Sequence, residues 1–232
     1  MTSGETLSRG GPSQTSRVTG VVVVAHGGQA SSTEPTTAFQ LAVLRMIPVA
    51  AAIRQALGDS GTLVVRPRFR LRGWNGAQAS PVRDLTEALD DIGARHGPAP
   101  VVLVGHSMGG RAALRAAGHP AVTAVAGLAP WVPPGEPVGQ LAGRRVLLVH
   151  GTLDSITSPD ETWAYLERAR AVTPVAAIEV RDGDHPMLRR AGLWHAIAAE
   201  FARTALLPPA QDAGPVAAAV VTTAADPPRT VL

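Results

Sequence analysis

Short apolar runs alternate with longer amphipathic segments along most of the chain. Each run is rich in valine, alanine or leucine and is bounded by glycine, proline, histidine or aspartate, which is typical of strands buried on both faces of a parallel sheet. The runs lie at 21–25, 63–65, 101–104, 122–128, 146–149 and 175–180. This pattern predicts a sheet of about six short strands.

The segments between the runs carry apolar residues every three or four positions, the spacing of an amphipathic helix. We predict a first helix over 39–57, in which Pro48 should kink or divide the chain. Four further helices are predicted: one opening at Ser80 and Pro81, one after Ser107, one after Ser158 and Pro159, and one over about 187–206. The alternation predicts an α/β fold with a doubly wound, mostly parallel sheet, right-handed crossovers and helices on both faces.

Both ends of the chain fall outside this pattern. Residues 1–17 are polar and rich in glycine and serine, and residues 208–232 are an alanine, proline and threonine sequence without a stable period. We therefore expect disordered tails on either side of one domain at 18–207. The segment 130–143 is too short and too interrupted by proline and glycine to form a helical lid.

Composition narrows the classes of function. The chain has 232 residues, of which 45% are hydrophobic, enough for one packed domain. Its net charge is only +3, its basic residues are scattered arginines and 3% of its residues are aromatic, so nucleic acid is not an expected partner. No apolar stretch resembles a signal peptide or a membrane span, and we expect a soluble, cytoplasmic protein that acts on a small molecule without a membrane partner. The oligomeric state is left open.

One motif points to chemistry. Gly105-His106-Ser107-Met108-Gly109 lies between a predicted strand and a predicted helix. A serine at such a strained turn exposes its hydroxyl, and small residues two positions before and after it let strand and helix pass closely. The N–H groups at the start of the following helix suit a developing oxyanion. Because the chain has no cysteine, a thiolate nucleophile and cysteine-based metal sites are excluded.

A serine nucleophile needs a base within hydrogen-bond reach and a third group that orients this base. Two later predicted strands are followed by candidates: His150-Gly151-Thr152-Leu153-Asp154 and Asp182-Gly183-Asp184-His185. The carboxyl ends of parallel strands meet at one edge of the sheet, so these loops are expected to lie near Ser107. The order Ser107, Asp154, His185 matches the order of nucleophile, acid and base in α/β-hydrolases.

These motifs, together with His26-Gly27-Gly28 after the first strand, resemble those of serine hydrolases with the α/β-hydrolase fold, over about 18–207. The resemblance implies Ser107 as nucleophile, His185 as general base and then acid, and Asp154 as the residue that orients His185. It further implies an oxyanion hole formed by the backbone N–H groups of Met108 and Gly28. It implies no cofactor.

The chain departs from the fuller pattern of this family at two places. It begins at what would be the third strand of the family, so the usual antiparallel first pair is not expected. The cap domain that many relatives carry is also not expected, since only 130–143 stands in its place. An open, shallow site is implied, which argues against cap-dependent relatives such as epoxide hydrolases and dehalogenases.

Other polar residues compete for roles at the site. His106 is interpreted as a packing or supporting residue, and His26 and His150 as residues that hold loops by hydrogen bonds. No histidine and carboxylate spacing suggests a metal site, so no metal is predicted. Asp182 or Asp184 is an alternative partner for His185, although side chains so near in sequence normally point apart.

Candidates for substrate contact are Trp74, Trp131 and Met187, which follow strand ends and line either an acyl or alcohol pocket or the core. The arginines at 66, 68, 70 and 72 alternate, so in an extended strand they would share one face. They would there steer an anionic substrate, or else form a solvated loop.

The sequence thus predicts a hydrolase of small carboxylic esters or thioesters that acts through an acyl-enzyme. Amide or peptide cleavage and acyl transfer use the same residues and stay open as alternatives. A ligand receptor that keeps the fold without catalysis is a further alternative, which the presence of all three side chains disfavours.

Overall fold

A computed structural model describes residues 17–208, 215–221 and 229–232. Within these residues the chain forms one parallel sheet. Its strands are β1 (Gly20–Ala25), β2 (Thr62–Val65), β3 (Val101–His106), β4 (Val122–Leu128), β5 (Arg145–Gly151), β6 (Val175–Val180) and β7 (Thr230–Val231). Their order across the sheet is β2-β1-β3-β4-β5-β6-β7, and every neighbouring pair is parallel.

Helices cover both faces of the sheet. They are α1 (Leu41–Leu44), α2 (Met46–Leu57), α3 (Ser80–His96), α4 (Met108–Ala116), α5 (Pro159–Arg170), α6 (Ala191–Leu206) and α7 (Pro215–Val221). Buried residues of α2, α6 and α7 pack on one face, and those of α3, α4 and α5 pack on the other. The prediction of a doubly wound α/β fold is confirmed.

The apolar runs are continuous because both faces of the sheet are buried. In β1, Val22 and Val24 contribute to the core beneath α2 and α6, whereas Val21 and Val23 contribute to the opposite core. All six residues of this strand are buried. Successive side chains of a strand point to opposite faces, so two covered faces require an apolar residue at each position.

The first predicted helix is divided, as the proline suggested, but the division falls at Arg45. Pro48 is the third residue of α2, where its missing N–H costs nothing because the first-turn N–H groups have no partner within a helix. Phe39, the first apolar position of the predicted helix over 39–57, precedes α1 and is 86% exposed, so the prediction that it lies on the apolar face of this helix is wrong. The last predicted helix begins later than expected, at Ala191.

The C-terminal segment corrects another prediction. Parts of the expected tail at 208–232 are structured, because 215–221 form α7 and 230–231 form the edge strand β7. The backbone of Leu232 donates to Glu179 O at 3.0 Å and accepts from Arg181 N at 2.9 Å. The sheet therefore has a seventh strand. The N-terminal prediction falls, except for Arg17, on residues outside those described.

The connections at the carboxyl edge of the sheet are short. Between β4 and β5 there is only a single 3₁₀ turn, Gly139–Leu141, and no helical cap. The stretch after β2 is not a continued strand, because β2 ends at Val65. No helix among the described residues combines the length and the apolar character that crossing a membrane requires.

Candidate active site

Ser107 occupies a strained turn between β3 and α4. Its backbone angles are φ 55° and ψ −121°, a conformation that residues with a side chain rarely adopt. The surrounding chain holds this conformation, since Ser107 N donates to Leu128 O and Ser107 O accepts from the backbone N–H of Trp131, both at 3.1 Å. The turn places the hydroxyl at the carboxyl edge of the sheet.

The glycines on either side of the turn allow this close passage. A Cβ atom added to Gly105 would lie 2.2 Å from Gly109 O, and one added to Gly109 would lie 2.3 Å from His26 O. Both distances are far below van der Waals contact, and the opposing atoms are backbone. The Gly-x-Ser-x-Gly spacing is therefore a steric requirement of the turn.

Ser107, His185 and Asp154 form a hydrogen-bonded row. Nε2 of His185 lies 3.1 Å from Oγ of Ser107, and Nδ1 of His185 lies 2.8 Å from Oδ2 of Asp154. The side chain of Asp154 is fully buried and that of His185 is 11% exposed. In this arrangement Nδ1–H donates to the carboxylate, which leaves the lone pair of Nε2 directed at the serine hydroxyl.

Several donors stabilise the Asp154 carboxylate besides His185. Oδ1 accepts from the backbone N–H groups of Ile156 and Thr157 at 2.8 and 2.9 Å. Oδ2 also lies 2.9 Å from Oγ1 of Thr157 and 3.1 Å from Nε2 of His150. Burial by itself would raise the pKa of Asp154, but these hydrogen bonds outweigh burial and hold the pKa well below its usual range.

His150 was expected to hold a loop by hydrogen bonds, and its partner turns out to be the carboxylate of Asp154. The ring is fully buried, and its Nδ1 lies 2.8 Å from Oγ1 of Thr162. With the Thr162 hydroxyl donating to Nδ1, Nε2–H donates to Asp154. The i, i+4 spacing of His150 and Asp154 was the available sequence signal, and Thr157 had none.

His106 supports the backbone of the catalytic loop. Its Nε2–H donates to the carbonyl oxygen of His185 at 2.8 Å, and the two imidazole rings lie 4.9 Å apart. Burial, together with the nearby His185, lowers the pKa of His106 to about 3. Its Nδ1 is buried and has no hydrogen-bond partner among the described residues, which fits a neutral ring with an unprotonated Nδ1.

Neither alternative partner, Asp182 or Asp184, is hydrogen-bonded to the imidazole of His185 among the described contacts. Oδ1 of Asp184 accepts from the backbone N–H groups of Leu188 and Arg189, both at 2.9 Å. Asp182 lies in an exposed turn with φ 57°. Asp184 therefore shapes the loop that follows His185, and Asp154 is the carboxylate within hydrogen-bond distance of the imidazole.

The loop after β1 approaches the serine closely. A Cβ on Gly27 would lie 3.3 Å from the Cβ of Ser107, and a Cβ on Gly28 would lie 2.3 Å from Cε of Met108 and 2.5 Å from Arg72 O. Only glycine fits at 28. Met108 is the first residue of α4, so its N–H has no partner within the helix. Nδ1–H of His26 donates to Gly27 O at 2.7 Å, and Nε2 accepts from Phe69 N at 3.1 Å.

The two tryptophans have different surroundings. Trp74 is 2% exposed and stacks on the guanidinium of Arg111 at 3.8 Å from its ring centroid, so packing leaves it no surface for substrate. The prediction that Trp74 contacts the substrate is therefore wrong. Trp131 lies 4.5 Å from the same guanidinium and is partly exposed. Arg111 is neutralised by buried Glu136 at 2.7 Å.

The remaining candidates from the sequence are Met187 and the alternating arginines. Met187 is 2% exposed and lines a cavity beside His185. Arg70 pairs with Asp84 at 2.6 Å and Arg72 pairs with Glu34, so these two arginines of the alternating stretch are locally neutralised. Within the described ranges no cluster of three or more His, Asp or Glu side chains is arranged to hold a metal ion.

Comparisons with known proteins agree with this fold. A model of the alpha/beta hydrolase family matches residues 22–231. An esterase domain from Rhodothermus marinus is 21% identical with a TM-score of 0.58, covering 83% of this chain and 90% of that chain. A serine hydrolase without a lid from Xanthomonas campestris is 21% identical with a TM-score of 0.57, covering 86% and 88%.

An esterase from Pyrococcus furiosus is 16% identical with a TM-score of 0.64, covering 82% of each chain. At these identities the solved structures establish the common fold. No curated protein matches the chain. Because the family model spans almost the whole described structure, the chain belongs to the alpha/beta hydrolase family and is an enzyme of that class.

Proposed function

We propose that the protein hydrolyses carboxylic esters or thioesters through a covalent acyl-enzyme on Ser107. The observation that carries this proposal is the row of contacts from Ser107 Oγ to His185 Nε2 at 3.1 Å and from His185 Nδ1 to Asp154 Oδ2 at 2.8 Å. A serine hydroxyl is a weak nucleophile at neutral pH, and this row supplies both its base and the group that orients the base.

In the first half of the reaction, Nε2 of His185 takes the proton of Ser107 as Oγ attacks the substrate carbonyl. The negative charge that develops on the carbonyl oxygen is bound by the backbone N–H groups of Met108 and Gly28. Asp154 stabilises the imidazolium that forms. When the tetrahedral intermediate collapses, His185 returns its proton to the leaving alcohol or thiol and the acyl group stays on Ser107.

In the second half, a water molecule takes the place of the alcohol. His185 accepts a proton from this water as it attacks the acyl carbonyl, and the oxyanion hole is used again. Collapse then breaks the bond to Ser107, whose Oγ recovers its proton from His185, and the carboxylic acid is released. The backbone hydrogen bonds of Ser107 with Leu128 and Trp131 hold its turn in place through both halves.

A fluorophosphonate probe tests the nucleophile. We expect stoichiometric labelling of the wild type, no labelling of Ser107→Ala, and hydrolysis of short p-nitrophenyl esters that is lost in the same variant. Ser158→Ala is the matched control, because Ser158 caps α5 through Glu161 N at 3.2 Å and takes no part in the row. Labelling that survives in Ser107→Ala, or a wild type that neither reacts with the probe nor turns over any ester, would refute the proposal.

The pH profile tests the base. We expect kcat/KM to fall as the solution is acidified, because a protonated imidazole has no lone pair with which to accept the Ser107 proton. The measurement is kcat/KM for a p-nitrophenyl ester across the acid and neutral range. A flat profile would remove His185 from its assigned role.

A further inference from the structure

A cavity of about 300 Å³ lies beside the loop that carries His185. Its lining is mostly apolar and includes the two residues that follow Pro186 in that loop, Met187 and Leu188, together with side chains from α1 and α6. Leu41 and Leu188 are 75% and 69% exposed at its rim. Large apolar side chains left exposed around a concavity are typical of a ligand site.

This cavity adjoins a second one that lies at the loop after β1. The second cavity, of about 390 Å³, is lined by Gly27 and Gly28, and it shares the wall residue Leu41 with the first. Gly27 in turn lies against Ser107, as the 3.3 Å Cβ approach shows. A substrate whose carbonyl oxygen is bound at Gly28 would reach the first cavity by passing Leu41, the residue that lines both.

Arg45, which lies between α1 and α2, is the one arginine among the described residues that line the first cavity. Within the described part of the chain, no hydrogen bond or ion pair of the Arg45 side chain is found. Other partly buried arginines have hydrogen-bond partners, as Arg111 has in Glu136 and Arg144 has in the backbone oxygen of Ala117. Arg45 is therefore exceptional among them.

The surroundings of Arg45 favour an anion. Burial lowers the pKa of its guanidinium and the charge of Asp184 opposes this shift, but arginine stays charged in either case. Oδ1 of Asp184 already accepts hydrogen bonds from the backbone N–H groups of Leu188 and Arg189. A half-buried cation without a hydrogen-bonded counter-charge gains more from a ligand anion than an exposed arginine would.

We propose that Arg45 binds a carboxylate of the substrate, so that the preferred ester is an amphiphile with an apolar chain between its ester group and an anionic end. This inference rests on the proposed ester hydrolysis. The planar guanidinium matches a carboxylate in a bidentate geometry. A carboxylate fits better than a phosphate dianion, because Arg45 is the one arginine among the described lining residues, burial lowers the pKa of the other basic lining residue, His195, and Asp184 lies near.

Kinetic comparison of matched esters tests the preference. Monomethyl adipate and acetoxyhexanoate carry the carboxylate on the acyl and the alcohol side, and methyl hexanoate and hexyl acetate are their neutral counterparts. We expect at least one charged ester to have the higher kcat/KM, by about ten- to a hundredfold, as charge-assisted hydrogen bonds give. Arg45→Met should abolish the preference, and Arg45→Lys should keep part of it.

Arg189→Met is the matched control, since Arg189 is exposed, lies in the loop next to the cavity and does not line it. It removes the same charge, so a preference that falls equally in both variants would show a general field effect and overturn the proposal. Wild-type enzyme that hydrolyses p-nitrophenyl acetate but prefers neither charged ester would overturn it as well.

Binding of monomethyl adipate to the Ser107→Ala protein tests the carboxylate site at Arg45 independently of turnover. Calorimetric titration with monomethyl adipate should give binding that weakens about tenfold or more when Arg45→Met is added and does not weaken with Arg189→Met. Equal binding of monomethyl and dimethyl adipate would refute the carboxylate site. If the wild type shows neither labelling nor ester hydrolysis, ester hydrolysis itself fails, and this titration still tests Arg45.

Discussion

Oδ2 of Asp154 lies within hydrogen-bond distance of two imidazoles, with His185 at 2.8 Å and His150 at 3.1 Å. The carboxylate is fully buried, and a buried charge is stable only where hydrogen bonds replace its lost hydration. His150 and Thr157 therefore keep Asp154 ionised and fixed, so that the carboxylate can orient His185. They act as positioning residues.

Replacing His150 tests this positioning. His150→Leu removes a donor from a buried carboxylate, and we expect the free energy of unfolding to fall by about 1–3 kcal/mol together with a lower kcat. His150→Gln keeps an N–H donor near the position of Nε2 and should recover part of both losses. Urea unfolding and ester kinetics measure the two effects. Wild-type kcat in the leucine variant would contradict the role.

His106 predicts a pH dependence of stability. Its pKa is lowered to about 3 in the folded protein, while the unfolded chain titrates near 6.5, so between these values the unfolded state binds the extra proton. Stability from this group is complete above about pH 6.5 and is lost as the pH falls. From pH 7 to pH 5 the loss is about 2 kcal/mol from His106 alone.

Urea unfolding of wild type and His106→Gln at both pH values measures this loss. The glutamine does not titrate, and its amide can donate to the His185 carbonyl in place of Nε2. We expect the variant to be the less pH-sensitive of the two, with His26, whose pKa is also lowered by burial, accounting for part of the remainder. Equal pH sensitivity in the two proteins would exclude a neutral, buried His106.

At the scale of elements, the unit formed by β3, Ser107 and α4 depends on the absence of side chains where backbones cross. We expect Gly109→Ala to lower the free energy of unfolding by more than about 3 kcal/mol or to prevent folding, since its Cβ would lie 2.3 Å from a backbone oxygen. Circular dichroism and urea unfolding measure the result.

Gly93→Ala is the matched control for this substitution. Gly93 lies within α3, it is exposed, and a Cβ there meets nothing within 4 Å. Alanine has the higher helix propensity, so this variant should gain about 0.5–1 kcal/mol. Similar effects at the two glycines would mean that the close crossing of strand and helix is not what requires Gly109.

At the scale of the whole molecule, β7 completes the sheet by covering the outer edge of β6. We expect Leu232→Pro to lower the free energy of unfolding by about 1 kcal/mol or more, because proline has no N–H to donate to Glu179 O and the uncovered edge promotes association. Val231→Ala, at a position 46% exposed, keeps the backbone bonds and should change little. Thermal unfolding and light scattering compare the two variants.

The sequence was sufficient for the elements whose signal is local. The valine runs predicted six of the strands of the sheet because burial on two faces requires apolar residues at every position. It was insufficient for β7, whose two residues form a strand only by pairing with Ile178 and Glu179, a contact that no local pattern of alanine, proline and threonine records.

For the candidate site, the residue types and their order along the chain predicted that Ser107, Asp154 and His185 lie at one edge of a parallel sheet, because chemistry there comes from the loops after the strands. Only the tertiary structure decided which neighbours each one has. It placed His150 on Asp154 and His106 on the His185 carbonyl, and it buried Trp74 on Arg111. It also left Arg45 at the wall of a cavity without a hydrogen-bond partner among the described residues. These are contacts between residues distant in sequence or set by side-chain packing, and so they depend on how helices and loops pack.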